Sequence, residues 1–226
     1  MRKGKQPVQS TPQPPVCDLV VLVADMDTEF TVRGLLSRPD ALAIRPITYS
    51  MICHPDRDSG CYRGCADALR PLVNKFRHAL VMFDHHGCGQ EKLSRTELEA
   101  ETENQLRRSG WEDRAAVVVI DPELEIWVWS DSPLVDDVLG WKGPPMALRT
   151  WLRNEGHTVS LNAKPAEPKS AFRQALRQIR KASSASLFQQ LAQQVSLPRC
   201  TDVAFWKWRS TLSNWFPRPC SPSPES

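Results

Sequence analysis

The chain has 226 residues, of which 41% are hydrophobic, 24% charged and 8% aromatic. This composition excludes a disordered, collagen-like or low-complexity protein, and the length suits one globular unit with a sizeable core. No apolar run approaches the roughly 18 residues that a membrane helix needs, so we expect a soluble protein with no membrane contact.

The two ends of the chain differ from the middle. Residues 1–16 are basic and rich in proline, and they lack the apolar segment of a secretory signal, so we predict a disordered arm on a cytoplasmic protein. Residues 217–226 are predicted to form a disordered tail. The seven cysteines show no pairing pattern, which indicates reduced thiols.

Charge is segregated along the chain. Residues 17–141 carry 13 basic and 22 acidic side chains, whereas residues 142–226 carry 13 basic and 4 acidic ones. An acidic block beside a basic block is typical of a carboxylate cluster that holds a cation next to a surface that attracts phosphates. Two solvated faces that neutralise each other explain the pattern equally well.

The middle of the chain alternates between strands and helices. We predict strands over residues 16–24, 44–52, 79–83 and 115–120 and helices over residues 28–37, 65–76 and 94–110. The last of these helices begins with a capping box, Ser94 followed by Glu97. Such alternation predicts an α/β fold over residues 17–141, with a mainly parallel sheet and right-handed crossovers.

After residue 121 the pattern is helical. We predict helices over residues 133–140, 145–154, 169–182, 186–195 and 202–216, which together form a basic extension over residues 142–216 that packs on the α/β domain. The helix over residues 169–182 is amphipathic. Its basic side is predicted to bind nucleic acid through Arg173, Arg177, Arg180 and Lys181.

Acidic side chains and histidines follow three of the predicted strands. These are Asp25, Asp27 and Glu29 after the first, Asp84, His85 and His86 after the third, and Asp121, Glu123 and Glu125 after the fourth. Parallel strands end at one edge of a sheet, where ligands bind. Carboxylates there suit Mg²⁺ or Mn²⁺, and Mn²⁺ also accepts imidazole. The alternative is that acids such as Asp27 and Asp121 only cap the following helices.

Three segments together resemble an uncharacterised Toprim-like family that is common among bacterial anti-phage genes. The segment around residues 22–36 is similar to the opening Toprim motif, with Asp25 in the place of its Glu. Residues 79–89 are similar to the Asp-x-Asp motif, with Asp84 kept and His86 in the second acidic place. Residues 122–131 (PELEIWVWSD) resemble a Glu-x-Trp segment that ends in Asp.

The resemblance extends over residues 17–216 and includes the polar stretch HPDRDSG at residues 54–60. It implies that Asp25, Glu29 and Glu125 are catalytic and that Asp25, Asp84, His86 and Glu125 bind the metal. Because His86 brings nitrogen where oxygen is expected, Mn²⁺ should be preferred to Mg²⁺.

Three other patterns in the sequence suggest possible sites. Cys53, His54, Cys61, Cys65 and Cys88 invite a zinc site, but their spacing favours buried free thiols. No nucleotide cofactor is expected, because the loop over residues 87–89 lacks the Lys-Ser/Thr ending of a phosphate-binding loop. The tryptophans at 206, 208 and 215 either stack on bases or, more simply, pack in the core.

Two functions remain open on the sequence. The first is a defence-associated, metal-dependent nuclease, or a subunit of one, that acts on phosphodiesters of DNA or RNA. The second is a non-catalytic interaction subunit, whose helical extension docks an ATPase or another nuclease of the same defence system.

Overall fold

The computed structural model describes residues 17–141, 146–161 and 163–219. Four parallel strands form one sheet in the order β2-β1-β3-β4, which confirms the predicted α/β fold with a parallel sheet. The strands are β1 (Cys17–Val23), β2 (Tyr49–Cys53), β3 (Phe76–Asp84) and β4 (Ala115–Ile120).

Ten α-helices are found in the described ranges. They are α1 (Met26–Leu36), α2 (Pro39–Leu42), α3 (Arg57–Leu69), α4 (Arg95–Leu106), α5 (Glu125–Val128), α6 (Leu134–Leu139), α7 (Leu148–Asn154), α8 (Pro168–Gln178), α9 (Ala185–Gln194) and α10 (Val203–Trp215). None of them is both long and apolar enough to cross a membrane.

Each face of the sheet has its own hydrophobic core, because successive side chains of a strand point to opposite faces. Leu22 and Val81 lie on the face covered by α3 and α4. Val21 and Met82 lie on the other face, which packs against α1 and the helices after β4. Helices α7 to α10 therefore share a core with the sheet, while the predicted boundary at residue 141 stays a prediction.

Strand β4 is an edge strand, and its outward N–H groups donate hydrogen bonds to side chains of α4. The backbone N–H of Val119 donates to Glu99 Oε1 at 3.1 Å, and that of Val117 donates to Glu103 Oε1 at 3.0 Å. Lys207 of α10 lies 3.2 Å from Glu99 and 2.9 Å from Glu103. These contacts satisfy groups that otherwise invite pairing with another strand.

Helix caps confirm one prediction and correct another. Ser94 and Glu97 form the predicted capping box of α4. Helix α1 is capped by Asp25, whose Oδ1 accepts a hydrogen bond from the Thr28 N–H at 2.9 Å. The prediction of Asp27 as a cap was therefore wrong, because α1 begins at Met26 and Asp27 already lies inside its first turn.

Helix α8 ends earlier than predicted. Its last residue is Gln178, and Arg180 has a left-handed φ of 53°, which a continuing helix does not permit. Lys181 Nζ instead donates to the carbonyls of Val138 (2.9 Å) and Leu139 (3.1 Å) at the end of α6. The predicted helix over residues 169–182 thus ended four residues too late.

The predicted termini fall largely outside the described residues. The arm over residues 1–16 and the tail over residues 220–226 lie outside them entirely. Residues 217–219 are described and make contacts: Pro217 forms an antiparallel bridge with Ile44, and Arg218 donates to Asp40 Oδ1 at 2.8 Å. The chain therefore stays attached to the fold beyond the predicted start of the tail.

Candidate active site at the carboxyl edge of the sheet

The strand register brings the ends of three strands to the same level. Val23 of β1 is paired with Met82 of β3, and Asp84 of β3 is paired with Ile120 of β4. Asp25 follows Val23 by two residues, as Asp84 follows Met82. The acids after these strands therefore meet at one edge of the sheet, as parallel topology requires.

Asp84 is the central member of this group. Its Oδ1 is buried and has no hydrogen-bond partner among the described residues. Burial raises the pKa of Asp84 well above its ordinary value, and the charges of Asp58, Glu125 and Asp25 raise it further, while Lys169 lowers it. A buried carboxylate without a partner destabilises the fold. Such groups are typical of functional sites, so Asp84 is a candidate site residue.

Asp58 belongs to the site, although the sequence analysis did not name it as a site residue. It lies in the first turn of α3, and its Oδ1 accepts a hydrogen bond from the backbone N–H of Asp84 at 2.8 Å. Burial raises the pKa of Asp58, and the Asp25 charge adds to that effect. The polar stretch at residues 54–60 was the available signal.

Glu125 is the first residue of α5 and is 6% exposed. Burial raises the pKa of Glu125 to about 7, although the nearby Lys169 charge opposes the rise. Trp127 anchors this short helix, since its Nε1 donates to Asp202 Oδ1 at 2.9 Å. The Glu-x-Trp segment thus places an easily protonated carboxyl at the sheet edge.

Asp25 and Asp27 complete the group. Asp25 Oδ1 accepts hydrogen bonds from the N–H and the hydroxyl of Thr28, both at 2.9 Å. Burial and the Asp25 charge raise the pKa of Asp27, whereas Lys169 and Arg57 lower it. We use the name acidic cluster for Asp25, Asp27, Asp58, Asp84 and Glu125.

Lys169 connects the acidic cluster to the basic part of the chain. Its Nζ lies 3.5 Å from Glu123 Oε2 and 3.9 Å from Glu125 Oε1, and its backbone N–H donates to Glu123 Oε1 at 3.0 Å. The Glu125, Glu123 and Asp84 charges raise the pKa of Lys169 despite its burial. The ammonium therefore stays charged beside the carboxylates.

Two open clefts, each with a volume of about 360 Å³, are lined by residues that follow the strand ends. The Arg57 cleft is lined by Asp25, Asp27, Cys53, His54 and Arg57. The Lys169 cleft is lined by His86, Glu123, Lys169, Arg173 and Arg177. Carboxylates and basic side chains thus line both clefts.

Two predicted site residues have other contacts. Glu29 Oε1 accepts hydrogen bonds from Arg33 Nε (2.8 Å) and Nη2 (2.6 Å), and Glu29 Oε2 accepts one from Cys53 Sγ (3.0 Å). His86 is exposed, and its side chain borders the Lys169 cleft. The oxygens of Glu29 are therefore engaged by Arg33 and Cys53, and the roles of Glu29 and His86 stay predictions.

The four predicted nucleic-acid-binding residues divide into two pairs. Arg173 and Arg177 are exposed on α8 and line the Lys169 cleft. Arg180 and Lys181 follow the end of the helix, and Lys181 is held by α6. The single helical face predicted for all four was therefore wrong, because α8 stops at Gln178.

Three cysteines of the possible zinc site are buried free thiols, whereas Cys53 is partly exposed. Cys61, Cys65 and Cys88 are buried in the core between the sheet and α3 and α4. Burial raises the pKa of the Cys65 thiol to about 11, which disfavours the thiolate that zinc binds. The tryptophans mostly pack as well: Trp208 is fully buried and Trp215 stacks on His78 at 4.4 Å.

In the part of the chain that the structure describes, no three His, Cys, Asp or Glu side chains are already arranged to hold a metal ion. The donor set nevertheless fits a hard divalent cation, since its atoms are carboxylate oxygens. The buried Asp84 Oδ1 with no partner is the observation that supports this fit.

No family model, no curated protein and no solved structure matches the chain. The geometry of the acidic cluster and its clefts is therefore the basis for assigning a function.

Proposed function

We propose that the chain is a divalent-metal-dependent nuclease, or the nuclease subunit of a larger complex. The observation that carries the proposal is the buried Oδ1 of Asp84, which has no hydrogen-bond partner within the described parts of the chain and lies among the charges of Asp25, Asp58 and Glu125. Like charges in a buried site raise each other's pKa, and a bound cation removes that repulsion.

Asp84, Asp58 and Asp25 are the residues proposed to hold the ion. Their oxygens match the preference of Mg²⁺ and Mn²⁺. When bound, such an ion stabilises the charge that develops on phosphate oxygens during in-line displacement. In this proposal Asp58 supplies the second acidic metal ligand, the place that the resemblance assigned to His86.

Glu125 is proposed to carry a proton. With a pKa of about 7, its carboxyl is half protonated near neutral pH, which suits a general acid or base. Glu29 is left out of the proposed mechanism, because Arg33 and Cys53 occupy its oxygens.

The basic residues of the Lys169 cleft are proposed to bind the phosphate backbone. Arg173 and Arg177 are exposed, and no carboxylate of the described residues lies within 4 Å of either guanidinium. Guanidinium groups of this kind suit phosphate oxygens. Lys169 stands between them and the acidic cluster, where it can orient a phosphate toward Asp84.

The Toprim-like resemblance supports the same activity and a role in bacterial anti-phage defence. The proposed partners are DNA or RNA and other proteins of such a system, an ATPase or a second nuclease. One observation favours the alternative of a non-catalytic interaction subunit: Val203 and Trp206 are 64% and 44% exposed on α10, and exposed apolar side chains mark protein contacts.

The direct test is an assay of single-stranded and duplex DNA and RNA with Mn²⁺ and with Mg²⁺. We expect cleavage that is lost in chelator and in Asp84→Asn. Asp113→Asn is the matched control, because Asp113 is 93% exposed before β4, at the opposite edge of the sheet. Cleavage that survives Asp84→Asn contradicts the proposed site at Asp84. No cleavage with either metal contradicts the nuclease and supports the interaction subunit.

A further inference from the structure

Arg57 stands in a conformation that few side chains adopt. It begins α3 with a left-handed φ of 52°, which costs about 1 kcal/mol or more in any residue other than glycine. Its backbone N–H closes a turn onto the His54 carbonyl at 3.1 Å. Glycine would satisfy this turn without strain, which makes Arg57→Gly a variant that removes the side chain and suits the backbone.

The Arg57 side chain is free to bind an anion. It is exposed, and no carboxylate in the described ranges lies within 4 Å of its guanidinium. It borders the Arg57 cleft together with Asp25 and Asp27. By contrast, Arg33 and Arg45 are each held by a carboxylate at 2.6 Å.

The acidic cluster has basic side chains of both clefts near it, since Asp25 and Asp27 line the cleft of Arg57 and Lys169 Nζ lies 3.9 Å from Glu125 Oε1. Asp27 borders the Arg57 cleft, and its carboxyl is influenced by both the Arg57 and the Lys169 charges. Lys169 borders the second cleft together with Arg173 and Arg177. Each cleft has a volume of about 360 Å³ and is lined by both carboxylates and basic side chains.

We propose that the two clefts and the acidic cluster form one phosphate groove, which holds a nucleic-acid strand with phosphates on both sides of the bond to be cut. Arg57 binds the backbone on one side, and Arg173 and Arg177 bind it on the other. The substrate is then an internal phosphodiester, and cleavage needs no strand end. This inference rests on the proposed function and specifies its substrate class.

The first test measures binding in the full chain. Labelled single-stranded DNA and RNA oligonucleotides of 2 to 12 nucleotides are titrated against wild type, Arg57→Glu and Arg173→Glu/Arg177→Glu at two salt concentrations. We expect affinity to rise with length in wild type. Each variant should lose at least about tenfold for the long strands, with a salt slope reduced by about one for each lost contact.

Matched controls separate the groove from overall charge. Arg107→Glu/Arg108→Glu makes the same charge change near the opposite edge of the sheet and should bind as wild type does. Arg57→Gly removes the charge and fits the left-handed turn, so weak binding by this variant cannot be ascribed to misfolding. Arg57→Lys keeps the charge and should restore most of the affinity.

The second test is cleavage of circular single-stranded DNA and circular RNA beside linear strands of the same sequence. We expect circles to be cut at rates within a few-fold of the linear strands. Cutting of linear strands alone overturns the groove but leaves the nuclease proposal intact. If nothing is cut, the nuclease proposal fails, and the groove is then tested by the binding experiment alone. Unchanged affinity in both Arg57→Glu and Arg57→Gly overturns the groove.

Discussion

The backbone N–H of Asp84 donates to the carboxylate of Asp58 at 2.8 Å, and this bond joins the end of β3 to the first turn of α3. Burial and the Asp58 charge raise the pKa of Asp84, and burial raises the pKa of Asp58 although this hydrogen bond lowers it, so ionising both carboxyl groups is costly. The chain tolerates this cost at the edge of the sheet where ligands of parallel α/β proteins bind.

The first prediction concerns Asp84 and the stability of the metal-free protein. Asp84→Asn removes a buried charge that lacks a partner at Oδ1, so the variant should be more stable than wild type by about 1–2 kcal/mol at pH 8. Denaturant unfolding in chelator measures this. In wild type, Mn²⁺ should raise the melting temperature, and the variant should lose most of that rise.

A melting temperature of Asp84→Asn that falls below that of wild type would show that the carboxylate stabilises the fold. Asp113→Asn, an exposed change outside the cluster, should leave both the stability and the response to Mn²⁺ unchanged.

The second prediction is a pH dependence at Glu125. The pKa of this carboxyl is raised from 4.5 to about 7 in the folded state, so the folded protein binds more protons than the unfolded chain between these values. Stability therefore falls as pH rises from about 4.5 to about 7. Glu125→Gln should remove that loss and gain about 1–2 kcal/mol at pH 8, with little gain at pH 4.5.

Unfolding curves of wild type and Glu125→Gln at pH 4.5, 6 and 8, recorded in chelator, test this directly. An equal stability difference at all three values would mean that Glu125 does not titrate in this range.

The third prediction concerns Asp18, which has the opposite shift. Hydrogen bonds from Arg45 (2.6 and 3.0 Å) lower the pKa of Asp18 to about 2. Its stabilising contribution is complete above the unfolded value of 3.8 and is lost as pH falls toward 2. Asp18→Asn should cost about 1–2 kcal/mol at pH 7, less than the full linkage value because the pair lies near solvent. The cost should vanish near pH 2, and a cost that persists there argues against the ion pair.

The fourth prediction concerns the edge strand β4. Glu99→Leu leaves the Val119 N–H without its acceptor and separates Arg95 and Lys207 from their shared carboxylate. The free energy of unfolding should fall by about 2–3 kcal/mol. Glu99→Gln keeps an oxygen acceptor and should cost less. If the two variants unfold alike, the hydrogen bond to Val119 contributes little.

The sequence predicted the parallel sheet because its strands are short, apolar and β-branched, as in residues 115–120, and because helix signals such as Ser94 and Glu97 separate them. Acids that directly follow strands, such as Asp25 and Asp84, could be placed at one edge by topology alone. These elements could be predicted because their signals are local patterns of residues, which a single sequence shows.

The remaining site residues depend on tertiary contacts. Asp58 reaches the site from a helix, and Lys169 reaches it from a helix that follows β4 by about fifty residues. Glu29 has the residue type expected at such a site, but Arg33 one turn later pairs with it. In the sequence, the separation of acidic residues (17–141) from basic residues (142–226) was the signal that the two kinds of charge lie together at the site.

The measurement that tests the central claim most directly is an anomalous-scattering map of crystals soaked in Mn²⁺. The account predicts a peak bonded to carboxylate oxygens of Asp84 and Asp58, with Asp25 or Glu125 close by, and its loss in Asp84→Asn. A map with no peak at this edge of the sheet at saturating Mn²⁺, in crystals where the acidic cluster is open to solvent, would contradict it.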